Sequence, residues 1–387
     1  MKKVTILGAT GSIGLSTADV LQQHPNRFST YALVAHRNVQ GMVKLVSCLR
    51  PEIIVMTDEQ AAKDLQVVLG STAKVHTGMQ AAIDVSEAPE VDIVVAAMVG
   101  AIGIPSALAA VKAGKQLALA NKECLVTAGR LFMAAAKRYS ATIFPVDSEH
   151  SALLQCLEGH RKDRLERIVL TASGGPFRQR DPETLKFVTP AEAIAHPNWD
   201  MGAKISIDSA TMMNKALELI EARWLFDLKP DKLSAIIHPQ SIVHAMAEYI
   251  DGSVLAHMGV PDMRGPIAYA LSADDRLSSG IKSLDLASIA NLSFEAVNED
   301  RFPAMRMIQD VLKADDVMAV VMNAANEVAN EAFRHGRIGF TAIVEVVEYV
   351  LQHHDATPAN CIDAIWEQDQ QARIMANTMI KQHRSIH

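Results

Sequence analysis

The sequence predicts an α/β protein whose N-terminal part is a parallel β-sheet with helices on both faces. Two observations predict it. Up to about residue 150, short apolar runs alternate with longer amphipathic segments, which is the rhythm of successive β-α-β units. A glycine-rich turn joins the first apolar run to the first amphipathic segment. Sheets of this type bind ligands at such a junction.

The composition is that of a compact globular protein with more than one domain. The chain has 387 residues, of which 49% are hydrophobic and 21% are charged. Its formal net charge at pH 7 is −7, and acidic and basic residues are interspersed. Because no basic stripe alternates with aromatic residues, we expect no nucleic-acid partner. No apolar run is long enough to cross a bilayer, so we expect no membrane partner either.

The cysteine pattern indicates a reducing compartment. Cys48, Cys124, Cys156 and Cys361 are scattered and form no C-x-x-C pair, which disfavours a disulfide framework and a thiolate zinc site. The N-terminus has two lysines before an apolar stretch, but the apolar run 4–7 is too short for a signal peptide. We therefore expect a cytoplasmic protein.

The elements follow from the periodicity of the apolar residues. Strands are predicted in the first part at 4–7, 31–35, 53–56, 92–97, 116–120 and 142–146. Helices are predicted between them at 12–23 and 123–140. Further strands are predicted at 167–173, 204–208, 235–239 and 241–249, around a helix at 210–226. The clearest helices of the last part are predicted at 310–334 and 341–353.

This pattern divides the chain into four segments. Residues 1–150 are predicted to form a Rossmann-like domain and residues 151–273 an α+β domain. Residues 274–298 begin with a Ser- and Asp-rich stretch and are predicted to be a linker. Residues 299–387 are predicted to form a helical domain.

The first strand-to-helix turn is a candidate phosphate loop. Its candidate residues are Gly8, Thr10, Gly11, Ser12, Ile13 and Gly14, with the spacing G-x-x-G-x-x-G. Glycines at this place let the backbone approach a pyrophosphate at the helix N-terminus, where N–H groups favour negative charge. A tight turn alone could explain three glycines, but their position at the first junction of a β-α-β series favours a dinucleotide.

The end of the second strand favours NADP(H) over NAD(H). An NAD site usually has an acid there, which holds the ribose 2′-hydroxyl. Here the strand is followed by His36, Arg37 and Asn38, and the guanidinium of Arg37 can bind a 2′-phosphate. The alternative is a solvated surface arginine.

Two acids follow the last strand of the first part, in the sequence PVDSEH. If this stretch is extended, Asp147 and Glu149 point to the same side. Two carboxylates at such a short distance repel each other unless they share a proton or a divalent cation. Carboxylate oxygens are ligands that suit Mg²⁺ or Mn²⁺. The alternative is a helix start, with Asp147 as the cap and Glu149 in the first turn.

The segment 206–221 adds the groups of a second candidate cluster. In a helix, Asn214, Lys215 and Glu218 share one face, and Ser209 is expected near the helix start, where an anion can bind. The alternative is a surface helix with an ion pair and a serine cap. Upstream, Ser173 begins a glycine-rich turn that can form another anion-binding nest. The combination predicts a substrate with a phosphate at one end and metal-chelating oxygens at the other.

Several motifs, in this order along essentially the whole chain, closely resemble the 1-deoxy-D-xylulose 5-phosphate reductoisomerase family. They are GATGSIG, ALANKE (118–123), PVDSEH, TASGGPF (171–177), HPNWDMG (196–202) and ISIDSATMMNKALELIEARWLF (205–226). The segment 323–327 also fits the C-terminal helical region of that family.

The resemblance implies an enzyme that rearranges 1-deoxy-D-xylulose 5-phosphate to a branched aldehyde and reduces it with NADPH to 2-C-methyl-D-erythritol 4-phosphate, in the non-mevalonate isoprenoid pathway. It implies Mg²⁺ or Mn²⁺, with Co²⁺ as a third option, and a homodimer. Residues 151–273 would then be the catalytic domain. The resemblance also implies a loop over the substrate, which would exclude water from the reactive aldehyde.

The family's roles carry over to matching positions. The implied metal ligands are Asp147, Glu149 and Glu218, which with Lys122 form the implied catalytic group. The implied phosphate ligands are Ser173, Ser209, Asn214 and Lys215. The other implied substrate contacts are Lys122, Ser148, Glu149, His196, Trp199, Met201 and Glu218. The implied cofactor contacts are the glycine-rich loop, His36, Arg37, Asn38, Asn121, Glu123 and Gly202. His196 is expected to be a structural group or a hydrogen-bond donor rather than a general base.

One departure from the family pattern and two rival functions bear on this interpretation. The family often has Gly-Lys-Asn where this chain has His36-Arg37-Asn38, so cofactor affinity could differ. A semialdehyde dehydrogenase would need a reactive cysteine, and Cys124 and Cys156 lie near the site in sequence. A dinucleotide-sensing regulator would need no carboxylates for a metal.

The stretch 241–249 is either a dimer-forming edge strand or an internal strand.

Overall fold

The computed structural model describes residues 1–71, 73–199, 201–273 and 275–384, and it divides into two compact units. The first unit comprises Met1–Cys124, Phe132–Leu154 and Asp262–Ser283. The second comprises Leu125–Leu131, Gln155–Pro261 and the described residues from 284 onward. Within the described ranges, no helix has both the length and the apolar character needed to cross a bilayer. The division into four segments stays a prediction, and its boundary at Asp274 lies outside the described residues.

A seven-stranded parallel sheet forms the centre of the first unit, in the order β4-β3-β2-β1-β5-β6-β7. The strands are β1 (Lys2–Leu7), β2 (Phe28–Ala35), β3 (Ile53–Met56), β4 (Val75–Thr77), β5 (Ile93–Ala96), β6 (Gln116–Leu119) and β7 (Thr142–Pro145). All six strands predicted in this part are confirmed, whereas the three-residue edge strand β4 was missed. The strand order reverses between β1 and β5, where sheets of this type bind ligands.

Six of the helices of this part connect the parallel strands, as β-α-β units require, and the seventh follows β7. They are α1 (Ser12–Gln23), α2 (Val39–Leu49), α3 (Glu59–Leu69), α4 (Gly78–Glu87), α5 (Ile104–Lys112), α6 (Glu123–Tyr139) and α7 (Ser148–Leu157). Helix α6 is not continuous, because Ala128 has non-helical backbone angles. The predicted helices 12–23 and 123–140 are confirmed as α1 and α6.

The second unit contains a four-stranded sheet in the order β11-β10-β8-β9. Its strands are β8 (Leu165–Ala172), β9 (Leu233–Ile237), β10 (Val243–Tyr249) and β11 (Val254–Met258). Strand β10 is antiparallel to both β11 and β8, while β8 and β9 are parallel. The stretch 241–249 is therefore an internal strand and not an edge. The two edge strands are β9 and β11, and the sequence pattern did not predict β11.

The prediction of a strand at 204–208 was wrong. These residues lie in α9 (Ala203–Ala210), and a separate helix, α10 (Met213–Phe226), follows it. Ile205 and Ile207 alternate with polar residues, which looks like strand periodicity, but Ser206 and Asp208 are buried too. Because the polar positions do not face solvent, the alternation carried no information about a sheet.

The remaining helices are α8 (Pro190–Ile194), α11 (Arg264–Ser272), α12 (Leu286–Ile289), α13 (Pro303–Lys313), α14 (Val317–Arg334), α15 (Ala342–His353) and α16 (Ile362–Arg384). Helix α11 belongs to the first unit and the others to the second. The single helix predicted at 310–334 was wrong, because the chain leaves the helical conformation at Ala314. The predicted helix 341–353 is confirmed as α15.

The turn between β1 and α1 accepts only glycine at two positions. Gly8 has φ +81°, and a Cβ atom on it would lie 2.4 Å from the carbonyl oxygen of Ala97, just beyond β5. A Cβ atom on Gly14 would lie 2.3 Å from the carbonyl oxygen of Ala9. The backbone N–H groups of Gly8 and Ala9 both donate to Val34 O of β2, at 2.9 and 2.8 Å. The turn therefore lies at the carboxyl ends of β1, β2 and β5.

We predict that Gly8→Ala lowers the free energy of unfolding by about 3 kcal/mol or more, because it combines left-handed backbone strain with a backbone clash. The matched control is Gly78→Ala. Gly78 has φ +91°, but a Cβ atom on it would have no other atom within 4 Å, so we expect strain alone, about 1–2 kcal/mol. Urea unfolding of both variants measures the difference. Equal losses would contradict the packing account of this turn.

Candidate active site

The N-terminus of α1 offers backbone donors to an anion. Gly11 is the N-cap residue, with extended backbone angles, and it has no side chain that could cap the helix. The first turn contains no acidic residue. Ser12 is exposed, while Thr10 and Ile13 are half-buried. Helix N-termini of this kind bind phosphate groups through their N–H groups and the helix dipole.

Two side chains after β2 are held by residues after β3. His36 Nδ1 is 2.9 Å from Thr57 Oγ1, and Arg37 Nε donates to Asp58 Oδ2 at 2.8 Å. Asn38 accepts from Gly41 N and caps α2. The Arg37 side chain is 73% exposed, so its guanidinium can reach a ligand while Asp58 orients its Nε edge.

Asp58 was not anticipated. The N–H of Ala61 and then the Arg37 guanidinium hold the pKa of its carboxyl below the ordinary value. The sequence signal was its position as the N-cap of α3, where Asp is a preferred residue. That signal predicts a helix start, but it does not indicate that the carboxylate pairs with Arg37.

The β6–α6 junction holds three predicted residues. The Asn121 side-chain amide donates to the backbone oxygens of Met98 and Gly100, and its Oδ1 accepts from Glu123 N at 3.1 Å. The amide is therefore fixed in one orientation. Lys122 follows it, only 7% exposed, and its Nζ lies 2.7 Å from Asp147 Oδ2. The first unit thus brings together Lys122 and Asp147, which are separated in the chain by the whole of α6 and β7.

The extended conformation predicted for PVDSEH was wrong, and the helix-start alternative describes the local structure. Asp147 directly precedes α7, and Ser151 N donates to its carbonyl oxygen at 2.9 Å. Glu149 lies in the first turn and accepts a hydrogen bond from Ser148 Oγ. A helix N-terminus stabilises both negative charges, and this does not conflict with a role in binding a cation. The metal role of the two acids stays a prediction.

In the second unit, the Ser173 turn is linked to His196. Ser173 Oγ lies 2.8 Å from His196 Nε2 and accepts from Gly175 N at 3.1 Å. His196 Nδ1 accepts from the backbone N–H groups of Asn198 and Trp199, at 3.2 and 3.0 Å. Nδ1 therefore carries no proton, and the neutral ring donates through Nε2. Burial lowers the pKa of His196 to about 4, which keeps the ring neutral at pH 7. The expectation of a hydrogen-bond donor agrees with this geometry.

In the segment after His196, the side chains of Asn198 and Trp199 contact residues between β9 and β10 and on β10. The Asn198 amide donates to Pro239 O at 2.6 Å and to Ser241 Oγ at 2.9 Å. The Trp199 ring lies 6.1 Å from the ring of His244. Met201 and Gly202 lie just before α9, with Gly202 as its N-cap, while Asp200 of the same motif lies outside the described residues.

His244, the histidine beside Trp199, was not predicted as a neighbour of the candidate site, because its position within a strand suggests only a packing role. It lies on β10 and is 6% exposed, and burial lowers its pKa to about 4. The residue is therefore neutral at pH 7, with its ring beside Trp199. Alternation of apolar and polar residues along 241–249 could not distinguish it from an ordinary strand histidine.

One of the predicted phosphate ligands on α9 and α10, Ser209, does not lie where the sequence predicted. Ser209 lies in the last turn of α9 and not near a helix start, because Met212, with φ +61°, separates the two helices. Asn214 and Lys215 lie in the first turn of α10. A Cβ atom on Gly175 would lie 2.9 Å from Ser209 O. The Ser173 turn therefore packs directly against the end of α9. This contact places Ser173 and Ser209, both predicted as phosphate ligands, close to each other.

The predicted face of α10 is confirmed as a cluster. Glu218 accepts from the Asn214 amide and forms an ion pair with Lys215. Glu218 is 1% exposed and Lys215 is 3% exposed, so this is a buried pair and not a solvated one. Removing one partner of such a pair is costly, because it leaves a buried charge behind. The surface-helix alternative is excluded for these side chains.

A cysteine nucleophile does not fit the described structure. Burial raises the pKa of the Cys156 thiol to about 11, and Cys124 is fully buried. A nucleophilic cysteine needs thiolate character and access. The rival semialdehyde dehydrogenase chemistry is therefore disfavoured.

The fold and these clusters define a class. The first unit is a Rossmann-type parallel sheet with a glycine-rich turn after β1 and an exposed arginine after β2, features that are typical of NADP-dependent oxidoreductases. The second unit carries the start of α10, the two serines Ser173 and Ser209, and the buried acid Glu218.

Comparisons with known proteins agree with one another over nearly the whole chain. A family model for 1-deoxy-D-xylulose 5-phosphate reductoisomerase matches residues 4–129, and two models for its C-terminal domains match residues 143–226 and 258–375. The protein of that name from Chlorobium phaeobacteroides is 49% identical over 380 residues, covering 98% of this chain and 100% of the relative. The one from Paraburkholderia xenovorans is 50% identical over 386 residues, covering 98% and 96%.

Solved structures give the same result. The reductoisomerase from Zymomonas mobilis in complex with NADPH superposes with a TM-score of 0.91 and 41% identity, covering 98% of this chain and 99% of the other. A reductoisomerase in complex with NADPH, fosmidomycin and magnesium gives 0.93 and 38%, covering 99% of both chains. The chain therefore belongs to the 1-deoxy-D-xylulose 5-phosphate reductoisomerase family. The resemblance and the fold class expected from the sequence are confirmed.

Proposed function

We propose that this protein converts 1-deoxy-D-xylulose 5-phosphate to 2-C-methyl-D-erythritol 4-phosphate, using NADPH and a divalent metal. Family membership over nearly the full length is the observation that carries the proposal. The reaction supplies an intermediate of the non-mevalonate isoprenoid pathway.

The first unit fits NADPH. Gly8 and Gly14 let the β1–α1 turn close tightly, because a Cβ atom on either residue would clash with a backbone oxygen of the protein. The turn leads into the N-terminus of α1, whose N–H groups suit a pyrophosphate. Arg37 would bind the 2′-phosphate, with Asp58 orienting it, and His36 and Asn38 would line the same end of β2. Asn121, Glu123 and Gly202 are retained as proposed cofactor contacts. The bound cofactor supplies the hydride for the reduction.

The acidic residues suit a hard cation. Asp147, Glu149 and Glu218 offer only carboxylate oxygens, the ligand type that Mg²⁺ and Mn²⁺ prefer. We assign all three as ligands, with Lys122 as the cationic catalytic side chain beside Asp147. A bound divalent cation stabilises the negative charge that develops on substrate oxygens.

The second unit suits a substrate phosphate. Ser173, Ser209, Asn214 and Lys215 are the proposed phosphate ligands. Two of them begin α10, where helix N–H groups favour an anion. His196 donates to Ser173 and would fix the hydroxyl for this purpose. Lys122 and Ser148 would contact the other substrate oxygens, while Trp199 and Met201 would cover the reacting end and exclude water.

We predict that Glu218→Gln lowers kcat by at least about a hundredfold, because it removes a charge that the transition state requires. NADPH binding, followed by fluorescence, should be unchanged. The matched control is Glu248→Gln, which removes a half-buried acid paired with the exposed Arg167 on the same unit, and it should retain activity. Normal turnover by Glu218→Gln would refute the metal assignment.

We further propose that the chain acts as a homodimer in the cytoplasm. All four cysteines are free thiols, as in proteins of reducing compartments. Strand β11 is an edge with exposed apolar side chains, Val254 at 51% and Met258 at 37%, and such edges pair readily with a second copy.

Sedimentation should therefore give a species of twice the chain mass of 42.0 kDa. Val254→Lys, which places a charge on the edge strand, should shift the species toward monomer. A monomeric wild-type protein at assay concentrations would contradict the proposal.

A further inference from the structure

A buried carboxylate outside the proposed ligand set connects α9 to α14. Asp208 is 1% exposed, and its Oδ1 accepts from the side-chain amides of Asn326, at 3.0 Å, and Asn330, at 2.8 Å. Lys204 Nζ lies 3.1 Å from Oδ2. Asn326 and Asn330 are themselves 0% and 1% exposed. All of these residues belong to the second unit.

The side-chain amide of Asn330 contacts both the first and the last turn of α9. Asn330 Nδ2 donates to the backbone oxygen of Lys204, at 3.0 Å, as well as to Asp208. Lys204 lies in the first turn of α9 and Asp208 in its last turn. Two such contacts from one side chain fix both the rotation and the axial position of this eight-residue helix.

Stability alone does not account for the network. The side-chain oxygens of Asn326 and Asn330 are buried, and neither has a protein hydrogen-bond partner among the described residues. An unsatisfied buried amide oxygen costs free energy, and a buried ionic cluster is often no more stable than an apolar one of the same volume. Such a cluster can instead hold the elements that it joins in one defined arrangement.

The element that it fixes bears a proposed phosphate ligand. Ser209 follows Asp208 directly, and its backbone oxygen accepts from Met212 N at the start of the turn into α10. Gly175, in the Ser173 turn, packs against Ser209 and Ala210. A rotation of α9 would therefore move Ser209 and disturb the turn that carries Ser173.

We infer that Asp208, Asn326 and Asn330 form a positioning network that orients α9 so that Ser209 and the Ser173 turn fit the phosphate of the substrate. None of the three touches the substrate; they act through Ser209. The inference rests on the proposed function, which assigns Ser209 to the phosphate.

The test compares three variants of the full-length protein. Asn330→Ala and Asp208→Asn weaken the network, while Asn323→Ala is the matched control. Asn323 is a fully buried asparagine of the same helix, but its amide donates to Glu327, within α14, at 3.3 Å. The readouts are the KM for 1-deoxy-D-xylulose 5-phosphate, the Ki of inorganic phosphate as a competitor, the KM for NADPH and the melting temperature.

Asn330→Ala and Asp208→Asn should each raise the phosphate Ki and the substrate KM about tenfold, since small misplacements of binding groups are costly. The KM for NADPH should change by less than about twofold, and Asn323→Ala should leave the phosphate Ki within about twofold of wild type. A lower melting temperature with an unchanged phosphate Ki would overturn the inference. So would failure of both network variants to fold, because the network would then serve stability alone.

Ser209→Ala, measured alongside, separates this inference from the proposed function. If Ser209→Ala raises the phosphate Ki and the network variants do not, only the positioning role is wrong. If Ser209→Ala leaves the phosphate Ki unchanged, the phosphate assignment fails and the positioning role fails with it.

Discussion

Buried negative charge is the constraint on which the candidate site depends. Within the first unit Asp147 lies against Lys122, and within the second unit Glu218 lies against Lys215. Each lysine offsets a carboxylate that would otherwise be expensive to bury, so each unit can fold with its acid in place. In the proposed function, the same two lysines would also lie beside oxygen atoms of the substrate. Enzyme sites commonly concentrate charge in this way.

The second unit extends this arrangement from single pairs to helices. Helix α10 begins beside Ser209 and carries Asn214, Lys215 and Glu218 within its first two turns. A helix start favours an anion, whereas an acid one turn further favours a cation. One short helix can therefore present a phosphate-binding end and a cation-binding face. The position of that helix depends on the turn at Met212 and on α9, which precedes it.

Much of the first unit could be predicted from the sequence because its strands are buried on both faces. A strand such as β5 is a continuous apolar run, and the glycine spacing marks the first turn. The residues 204–208 were mispredicted because a five-residue alternation fits a buried helix as well as a strand. Local pattern does not decide between them when both faces are covered.

Contacts between distant residues could not be predicted in the same way. Asp208 and its asparagine partners are 118 and 122 positions apart, and no periodicity connects them. Arg37 was recognised from its place after β2, whereas its partner Asp58 was not, because the strand order is needed to bring the two together. The candidate ligands were found through motifs, but their orienting partners required the fold.

The most direct test follows NADPH absorbance with 1-deoxy-D-xylulose 5-phosphate in the presence of Mg²⁺ and then of excess EDTA, with NADH as the cofactor control. The account predicts oxidation that requires the metal, stops with EDTA, returns when Mg²⁺ is added back and is much slower with NADH. No oxidation of NADPH with Mg²⁺ or Mn²⁺ would contradict it. The chain would then have a dinucleotide-binding fold in which Asp147 and Glu149 serve only as the start of α7.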